Sequence, residues 1–238
     1  MSDDRRSLDP ASGRNAEVDA FLRRSRDVER APDAASSRGR LVFALDATMS
    51  RQPTWDLALS VQGRMFDTAA ALGGLDVQLV YFRGLHECRA SPFVSAGAGL
   101  ARFMSRIAVE GGNTQIGRVL RHVRDEARRV RVGVLVYVGD AIEERVDPLC
   151  ALAGELALLG VKAFMFHEGH NPAAARAFGE IARLTGGAYA AFDASAPDRL
   201  AALLAAAAAY AAAGRSGLEA RLGGGEAGVA QGLLSQLR

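Results

Sequence analysis

Five oxygen-bearing side chains occur where a parallel sheet could bring them together. Asp46, Thr48 and Ser50 stand at every second position after one apolar run, Thr114 follows a Gly-Gly-Asn segment, and Asp140 follows another apolar run. Carboxylate and hydroxyl oxygens are hard ligands of the kind that Mg²⁺ or Mn²⁺ prefers, whereas zinc favours His and Cys. The pattern therefore predicts a divalent-cation site with few net charges.

The strands and helices predicted around these residues determine where the side chains lie. Continuous apolar runs at 41–45 and 132–138 are typical of strands buried on both faces of a parallel sheet. Helical periodicity over 57–72 and 115–129 indicates amphipathic helices. Further strands are predicted at 75–82, 161–166 and 188–192, an edge hairpin at 84–93, and further helices at 96–108, 146–159, 172–185 and 196–213.

This alternation of strands and helices predicts a doubly wound, mostly parallel sheet of about six strands, with helices on both faces. In open α/β sheets, ligands bind at the carboxyl ends of the strands, above all where the strand order reverses. We therefore expect the five oxygen-bearing side chains to lie on that edge of the sheet.

Composition limits the classes of function. The chain has 238 residues, of which 49% are hydrophobic, so it can bury a substantial core. A net charge of +2 argues against a dedicated nucleic-acid surface, and the two cysteines, Cys88 and Cys150, cannot form a disulfide framework. No signal peptide or uninterrupted apolar span is evident, so we expect a soluble, cytoplasmic protein without a membrane partner.

Three regions are predicted along the chain. Residues 1–39 form a charged arm, 40–213 the α/β domain, and 214–238 a Gly-rich tail. Within the arm, residues 16–30 could form a short helix that docks on the domain. The tail could end in a helix. The apolar residues of these two helices are Val18, Phe21, Leu22 and Val28 in the arm and Leu233, Leu234 and Leu237 in the tail.

The order of the oxygen-bearing segments resembles a known family. The segment L-V-F-A-L-D-A-T-M-S resembles the first strand and metal-ion-dependent adhesion site (MIDAS) of von Willebrand factor type A (VWA) domains, whose motif is D-x-S-x-S, often with Thr for the first Ser. G-G-N-T-Q-I-G resembles the second MIDAS element, and V-L-V-Y-V-G-D resembles the third, usually T-D-G. The resemblance covers roughly residues 40–213.

The resemblance implies a Rossmann-like sheet of order 3-2-1-4-5-6, in which the first and fourth strands are neighbours. It also implies that Thr48, Ser50 and Thr114 bring hydroxyl groups to Mg²⁺ or Mn²⁺, and that Asp46 and Asp140 act directly or through water.

The third element departs from the family pattern. Gly139 and Ala141 stand where the family often has Thr and Gly, so position 139 has no side chain to support the neighbouring Asp140 carboxylate.

A cation held mainly by neutral hydroxyls keeps excess positive charge and attracts another anion. In VWA domains this is typically an Asp or Glu of a partner protein, so the resemblance implies a metal-dependent protein-binding module without catalytic residues. Bacterial stand-alone members resemble adaptors, which suggests an AAA+ ATPase or a chaperone-like assembly as partner.

Three alternatives remain open at the sequence level. The motif residues could simply cap helices, Ser50 or Asp46 near Pro53 and Thr114 before the helix at 115–129. The carboxylates and a cation could serve a phosphatase, although Thr48 replaces the second Asp of such enzymes and Lys162 opens a strand. The basic face of the same helix could bind RNA, through Arg118, Arg121, Arg124 and Arg128.

Two smaller clusters are weaker candidates. His167 and His170 are three residues apart on a predicted loop, whereas a metalloprotease motif needs four on a helix. His86 and Cys88 are close in sequence, but a nucleophile also needs a base oriented by a third group. We expect both clusters to be incidental.

Overall fold

The computed structural model describes residues 38–193 and 196–238, so the helix expected over 16–30 lies outside the described residues. The strands are β1 (Gly39–Asp46), β2 (Leu75–Arg83), β3 (Glu87–Ala90), β4 (Val134–Gly139), β5 (Lys162–Glu168) and β6 (Ala188–Phe192). The helices are α1 (Gln52–Val61), α2 (Gly63–Ala70), α3 (Gly97–Met104), α4 (Ile116–Arg129), α5 (Val146–Leu158), α6 (Pro172–Thr185), α7 (Pro197–Glu219) and α8 (Ala227–Leu234). A short 3₁₀ turn, Met49–Arg51, precedes α1.

The strands form one six-stranded sheet in the order β3-β2-β1-β4-β5-β6. All neighbouring strands are parallel except β2 and β3, which form an antiparallel pair at one edge. Leu45 pairs with Val138, so β1 and β4 end side by side. The predicted fold class and strand order are confirmed, and the order reverses between β1 and β4.

Side chains alternate between the two faces of β1, because successive residues of a strand point to opposite sides. Phe43 and Leu45 belong to the apolar layer under α1, α2, α3, α7 and α8. Val42 and Ala44 belong to the layer under α4, α5 and α6. Asp46 continues the second series, so its carboxylate lies on the α4 side at the end of the strand.

The single helix expected over 57–72 is two helices, α1 and α2, separated at Gln62. The residue after the division is Gly63, the first residue of α2 and a poor helix former. Gly97 also lies close to it: a β-carbon on Gly97 would be 3.3 Å from the Cα of Gly63. The start of α3 thus packs against the junction of α1 and α2.

Helix α7 lies against the sheet through its alanines. By length and composition it is the one helix among the described residues that could cross a membrane, with a mean hydropathy of 1.2. However, 61% of that window is buried inside the protein, as in the core helix of a globular domain. The helix kinks at Ala213 and Gly214, where Gly214 has a φ of +64°.

The C-terminal segment packs against the same face of the sheet. Leu218, Leu233 and Leu234 belong to the apolar layer under α7 and α8. The Gln236 side chain then accepts a hydrogen bond from the Tyr189 N–H and donates one to the Tyr189 carbonyl, each at 3.0 Å. Gln236 thereby binds the backbone of β6, the outermost strand on that side of the sheet.

Candidate metal centre

Asp46 places a carboxylate almost completely inside the protein. The residue is 2% exposed, and its Oδ1 atom accepts a hydrogen bond from the Thr48 N–H at 2.8 Å. Burial raises the pKa of this carboxyl to about 6; the hydrogen bonds with Thr48 lower it, nearby Asp140 raises it, and Arg51 lowers it. A group in this environment gains from a cation, because a positive charge would offset its lost hydration.

The two hydroxyl groups of the D-x-T-x-S motif lie near each other in the turn that follows this carboxylate. The Thr48 Oγ1 and Ser50 Oγ atoms are 3.5 Å apart, at the start of the 3₁₀ turn. Thr48 is buried, whereas Ser50 is exposed. The motif therefore runs from a buried carboxylate to a hydroxyl that faces solvent.

Asp140 and Thr114 reach the same edge from neighbouring segments. Asp140 directly follows β4, and its side chain is 29% exposed. Thr114 is tied to the loop after β4: its N–H donates to the Glu143 carboxylate at 2.9 Å, and its hydroxyl accepts the Glu143 N–H at 3.1 Å. All five predicted residues thus lie on one edge, with Asp46 and Asp140 coupled electrostatically and Thr114 held to the β4 loop.

The capping alternative is wrong for Ser50 and Thr114. Neither α1 nor α4 has a side-chain hydrogen bond from its N-cap residue. The start of α4 is instead held by Glu144, whose carboxylate accepts the N–H groups of Ile116 at 2.5 Å and Gly117 at 2.9 Å. The hydroxyls of the motif therefore have no capping role that would explain them.

Tyr137 fills the space beside Gly139, where the family often has Thr. A β-carbon on Gly139 would be 2.8 Å from both the Cε1 and Oη atoms of Tyr137. The Tyr137 hydroxyl is buried without a hydrogen-bond partner among residues 38–193 and 196–238. Burial, with the nearby carboxylates of Asp46, Glu144 and Asp140, raises its pKa well above the usual value.

These features fit a hard divalent cation. The five predicted residues supply two carboxylates and three hydroxyls, and the orphaned Tyr137 phenol beside them can donate a hydrogen bond to water or to a carboxylate. No three His, Cys, Asp or Glu residues cluster as metal ligands in the described part of the chain. The motif predicts that the hydroxyls of Thr48, Ser50 and Thr114 would complete the coordination of a cation at this edge.

Sequence reasoning missed a second group of residues at this edge. The Arg51 guanidinium makes ion pairs with Asp140, with Nη2 3.2 Å from Oδ2, and with Glu168, with Nη1 2.6 Å from Oε2. Thr54 also donates its hydroxyl to the Glu168 carboxylate. The available signals were the position of Arg51 directly after the motif and that of Glu168 at the end of β5.

The histidine and cysteine clusters are described by the contacts of His167 and the burial of Cys88. His167 is buried, with one ring nitrogen 2.9 Å from the Tyr189 hydroxyl and the other 3.3 Å from the Asp140 carbonyl, whereas His170 is exposed. His167 thus ties β5 to its neighbours. Burial raises the pKa of the Cys88 thiol to about 11, so the reactive thiolate form is disfavoured.

The structure does not favour the other two alternatives. Lys162, at the start of β5, donates its ammonium group to the Arg238 carbonyl, away from the carboxylate edge. On α4, Arg124 and Arg128 pair with Glu155 of α5 at 3.4 and 3.3 Å. These arginines link two helices, and part of the proposed RNA-binding charge is therefore neutralised.

Comparison with known proteins identifies solved structures with a similar fold. No known family profile and no curated protein sequence matches the chain. Among solved structures, the SpRpn10 VWA domain is similar with a TM-score of 0.56 and 13% identity, covering 70% of this chain and 94% of that one. An aerotolerance-related membrane protein from Bacteroides fragilis is similar with a TM-score of 0.50 and 17% identity, covering 70% of this chain and 98% of that one.

A third similar structure carries a metal. It is proximal thread matrix protein 1 from the mussel byssus with a zinc-occupied MIDAS motif, at a TM-score of 0.54 and 16% identity. The match covers 74% of this chain but 47% of the mussel protein. Together with the strand order, these likenesses show that the chain has the fold of a VWA domain.

Proposed function

We propose that this protein is a divalent-metal-dependent protein-binding module, and that Asp46, Thr48, Ser50, Thr114 and Asp140 hold the cation. The observation that carries the proposal is the arrangement of the D-x-T-x-S turn, in which a buried carboxylate lies beside hydroxyls that lead to the surface. Mg²⁺ or Mn²⁺ bound there would supply a Lewis-acidic position for a carboxylate from outside.

The surface around the turn suits a protein partner. Met49 and Leu85 are 66% and 65% exposed, and both follow strands that end at this edge, β1 and β2. Exposed apolar side chains beside a site that binds a charged group are a common feature of protein contact surfaces. We infer a partner that presents an Asp or Glu flanked by apolar residues.

The similar structures support a binding role over turnover. The mussel protein has a metal-occupied MIDAS, and another similar structure, SpaC from Lactobacillus rhamnosus GG, is a pilus adhesin, with a TM-score of 0.52 and 11% identity. That match covers 73% of this chain and 30% of the adhesin. An AAA+ ATPase or chaperone-like assembly in the cytoplasm remains our proposed partner class.

The test compares metal binding and partner capture in the same variants. Titration calorimetry with MgCl₂ or MnCl₂ should show binding to the full chain, and Asp46→Asn and Asp140→Asn should each weaken it by roughly tenfold or more, because each removes a carboxylate. Asp67→Asn, on the exposed face of α2, is the matched control and should bind as the unaltered chain does.

Partner capture should follow the metal. Proteins retained from native extract in Mg²⁺ should be lost with EDTA and with both site variants, but not with Asp67→Asn. Capture that survives EDTA and both site variants would refute the proposal. Mg²⁺-dependent phosphatase turnover that is lost in Asp46→Asn would replace it with the enzyme alternative.

A further inference from the structure

Arg51 places a fixed positive charge at the proposed metal centre. Its guanidinium contacts Asp140 on one side, at 3.2 Å, and Glu168 on the other, at 2.6 Å. The side chain is 15% exposed, so solvent screens its charge only in part. Arg51 also acts electrostatically on Asp46. One cationic side chain thus interacts with both carboxylates proposed to hold the metal.

This position conflicts with a bound divalent cation. Two positive groups beside the same carboxylate repel each other, and at a partly buried position this repulsion is much stronger than in bulk water. A metal at Asp140 therefore gains affinity if the guanidinium withdraws from Asp140.

Glu168 offers the place to which the guanidinium can withdraw. Its carboxylate lies closer to Arg51 than Asp140 does and is itself fixed by the Thr54 hydroxyl. Glu168 is the last residue of β5, whereas Asp140 directly follows β4, so the two anions hold Arg51 between adjacent strand ends. Release from Asp140 would leave one ion pair in place.

We propose that Arg51 is a built-in competitor of the divalent cation for Asp140, and that Glu168 is the positioning residue that holds the guanidinium when the cation binds. This inference rests on the proposed metal-binding function and adds a determinant of its affinity. The centre then has two states, one in which Arg51 neutralises Asp140 and one in which the metal does.

The first test measures metal affinity directly. Calorimetric titration of the full chain with MnCl₂ and MgCl₂ should show that Arg51→Gln binds roughly tenfold tighter or more, because the competing charge is gone. Arg51→Lys keeps the charge and should remain within about threefold of the unaltered chain. Arg129→Gln removes an equal charge from the exposed end of α4 and should leave the affinity unchanged.

The second test separates a positioning role from a general charge effect. Glu168→Gln should weaken binding by roughly tenfold, because Arg51 then depends on Asp140 alone. In the Arg51→Gln background, the same change should cost less than about threefold. Equal losses in both backgrounds would overturn the role of Glu168. Circular dichroism of each variant verifies that the chain has folded.

The outcomes distinguish this inference from the function on which it rests. If the chain binds metal through Asp46 and Asp140 but Arg51→Gln binds no more tightly, competition is refuted and the metal-binding function stands. If Arg51→Gln binds metal and the unaltered chain does not, the competition is supported, because Arg51 then excludes the metal completely under these conditions. If neither chain binds metal, the metal centre and the inference both fail.

Discussion

At the scale of single residues, the buried charge of Asp46 lowers the free energy of unfolding, and a bound cation would offset this loss. Its carboxylate is buried beside Asp140 and receives a hydrogen bond from the Thr48 N–H. Burial raises its pKa from 3.8 to about 6, so the folded chain holds this proton more tightly than the unfolded chain. The free energy of unfolding should therefore fall as pH rises from about 4 to about 6, and stay low above that.

Asp46→Asn should remove this dependence on pH. At pH 7.5 in EDTA we expect the variant to be more stable than the unaltered chain, by up to about 3 kcal/mol, because a neutral amide has no charge to dehydrate. Urea denaturation at pH 4, 5, 6 and 7.5 measures the difference. Parallel pH profiles for both chains would contradict the assignment of the burial cost to Asp46.

Added metal should reverse the order of stability. At pH 7.5, Mg²⁺ or Mn²⁺ binds the folded unaltered chain and should raise its denaturation midpoint, whereas Asp46→Asn should respond little. The same denaturation series with and without metal serves as the measurement. An equal response in both chains would place metal binding elsewhere.

The positions of the oxygen-bearing residues at this edge could be predicted from the sequence, but the position of Arg51 beside them could not. Asp46, Thr48 and Ser50 follow one strand at a fixed spacing, so the strand that ends at Asp46 dictates where they lie. Arg51 faces Asp140 and Glu168 across two other strand ends, and such pairs depend on side-chain conformations in loops. No local pattern in the sequence encodes those conformations.

At the scale of elements, the start of α4 is fastened to the loop after β4. Glu144 accepts the N–H groups of Ile116 and Gly117, and Glu143 exchanges two hydrogen bonds with Thr114. Burial raises the pKa of Glu144, while its two backbone hydrogen bonds lower it. The loop that carries Asp140 and the loop that carries Thr114 are therefore one connected unit.

Glu144→Ala should loosen this connection. We expect a loss of about 1–2 kcal/mol in the free energy of unfolding, because two N–H groups of α4 lose their acceptor. Glu144→Gln retains one acceptor oxygen and should lose less. Chemical denaturation measures both, with Glu110→Ala as the control, since Glu110 is exposed and its nearest ion-pair contact is 3.7 Å long. Equal losses at positions 110 and 144 would show that Glu144 does not hold α4.

Most helices and strands could be predicted, because apolar periodicity reflects which face is buried. The strand at 188–192 and the helix at 172–185 have the predicted bounds. The division of the helix at Gln62 was missed, because it depends on the approach of α3 to Gly63. Gly63 is a weak local signal for a division, and the contact with α3, which joins segments distant in sequence, could not be predicted from it.

At the scale of the whole molecule, tight backbone packing joins α7 to the sheet. A β-carbon on Gly39, the first residue of β1, would lie 2.1 Å from the Ala211 carbonyl oxygen. The neighbouring alanines Ala207 and Ala208 are completely buried. The small alanine side chains of this helix are therefore what the close approach requires.

Gly39→Ala should destabilise the whole domain by about 2 kcal/mol or more, because the added methyl group meets backbone that cannot move independently. Gly154→Ala is the matched control: a β-carbon there meets nothing within 4 Å inside α5, so this change should stabilise by about 0.5–1 kcal/mol. Thermal denaturation of both variants measures the contrast. Equal changes of the same sign would refute close packing at Gly39.

The hydrogen bonds of Gln236 to Tyr189 have a consequence for the edge of the sheet at β6. An outermost strand offers unpaired N–H and C=O groups to any other extended chain, and such edges template aggregation. The Gln236 amide bonds both backbone groups of one β6 residue, as a further strand would. The outward N–H and C=O groups of Tyr189 are thus already bonded and cannot pair with a strand of another molecule.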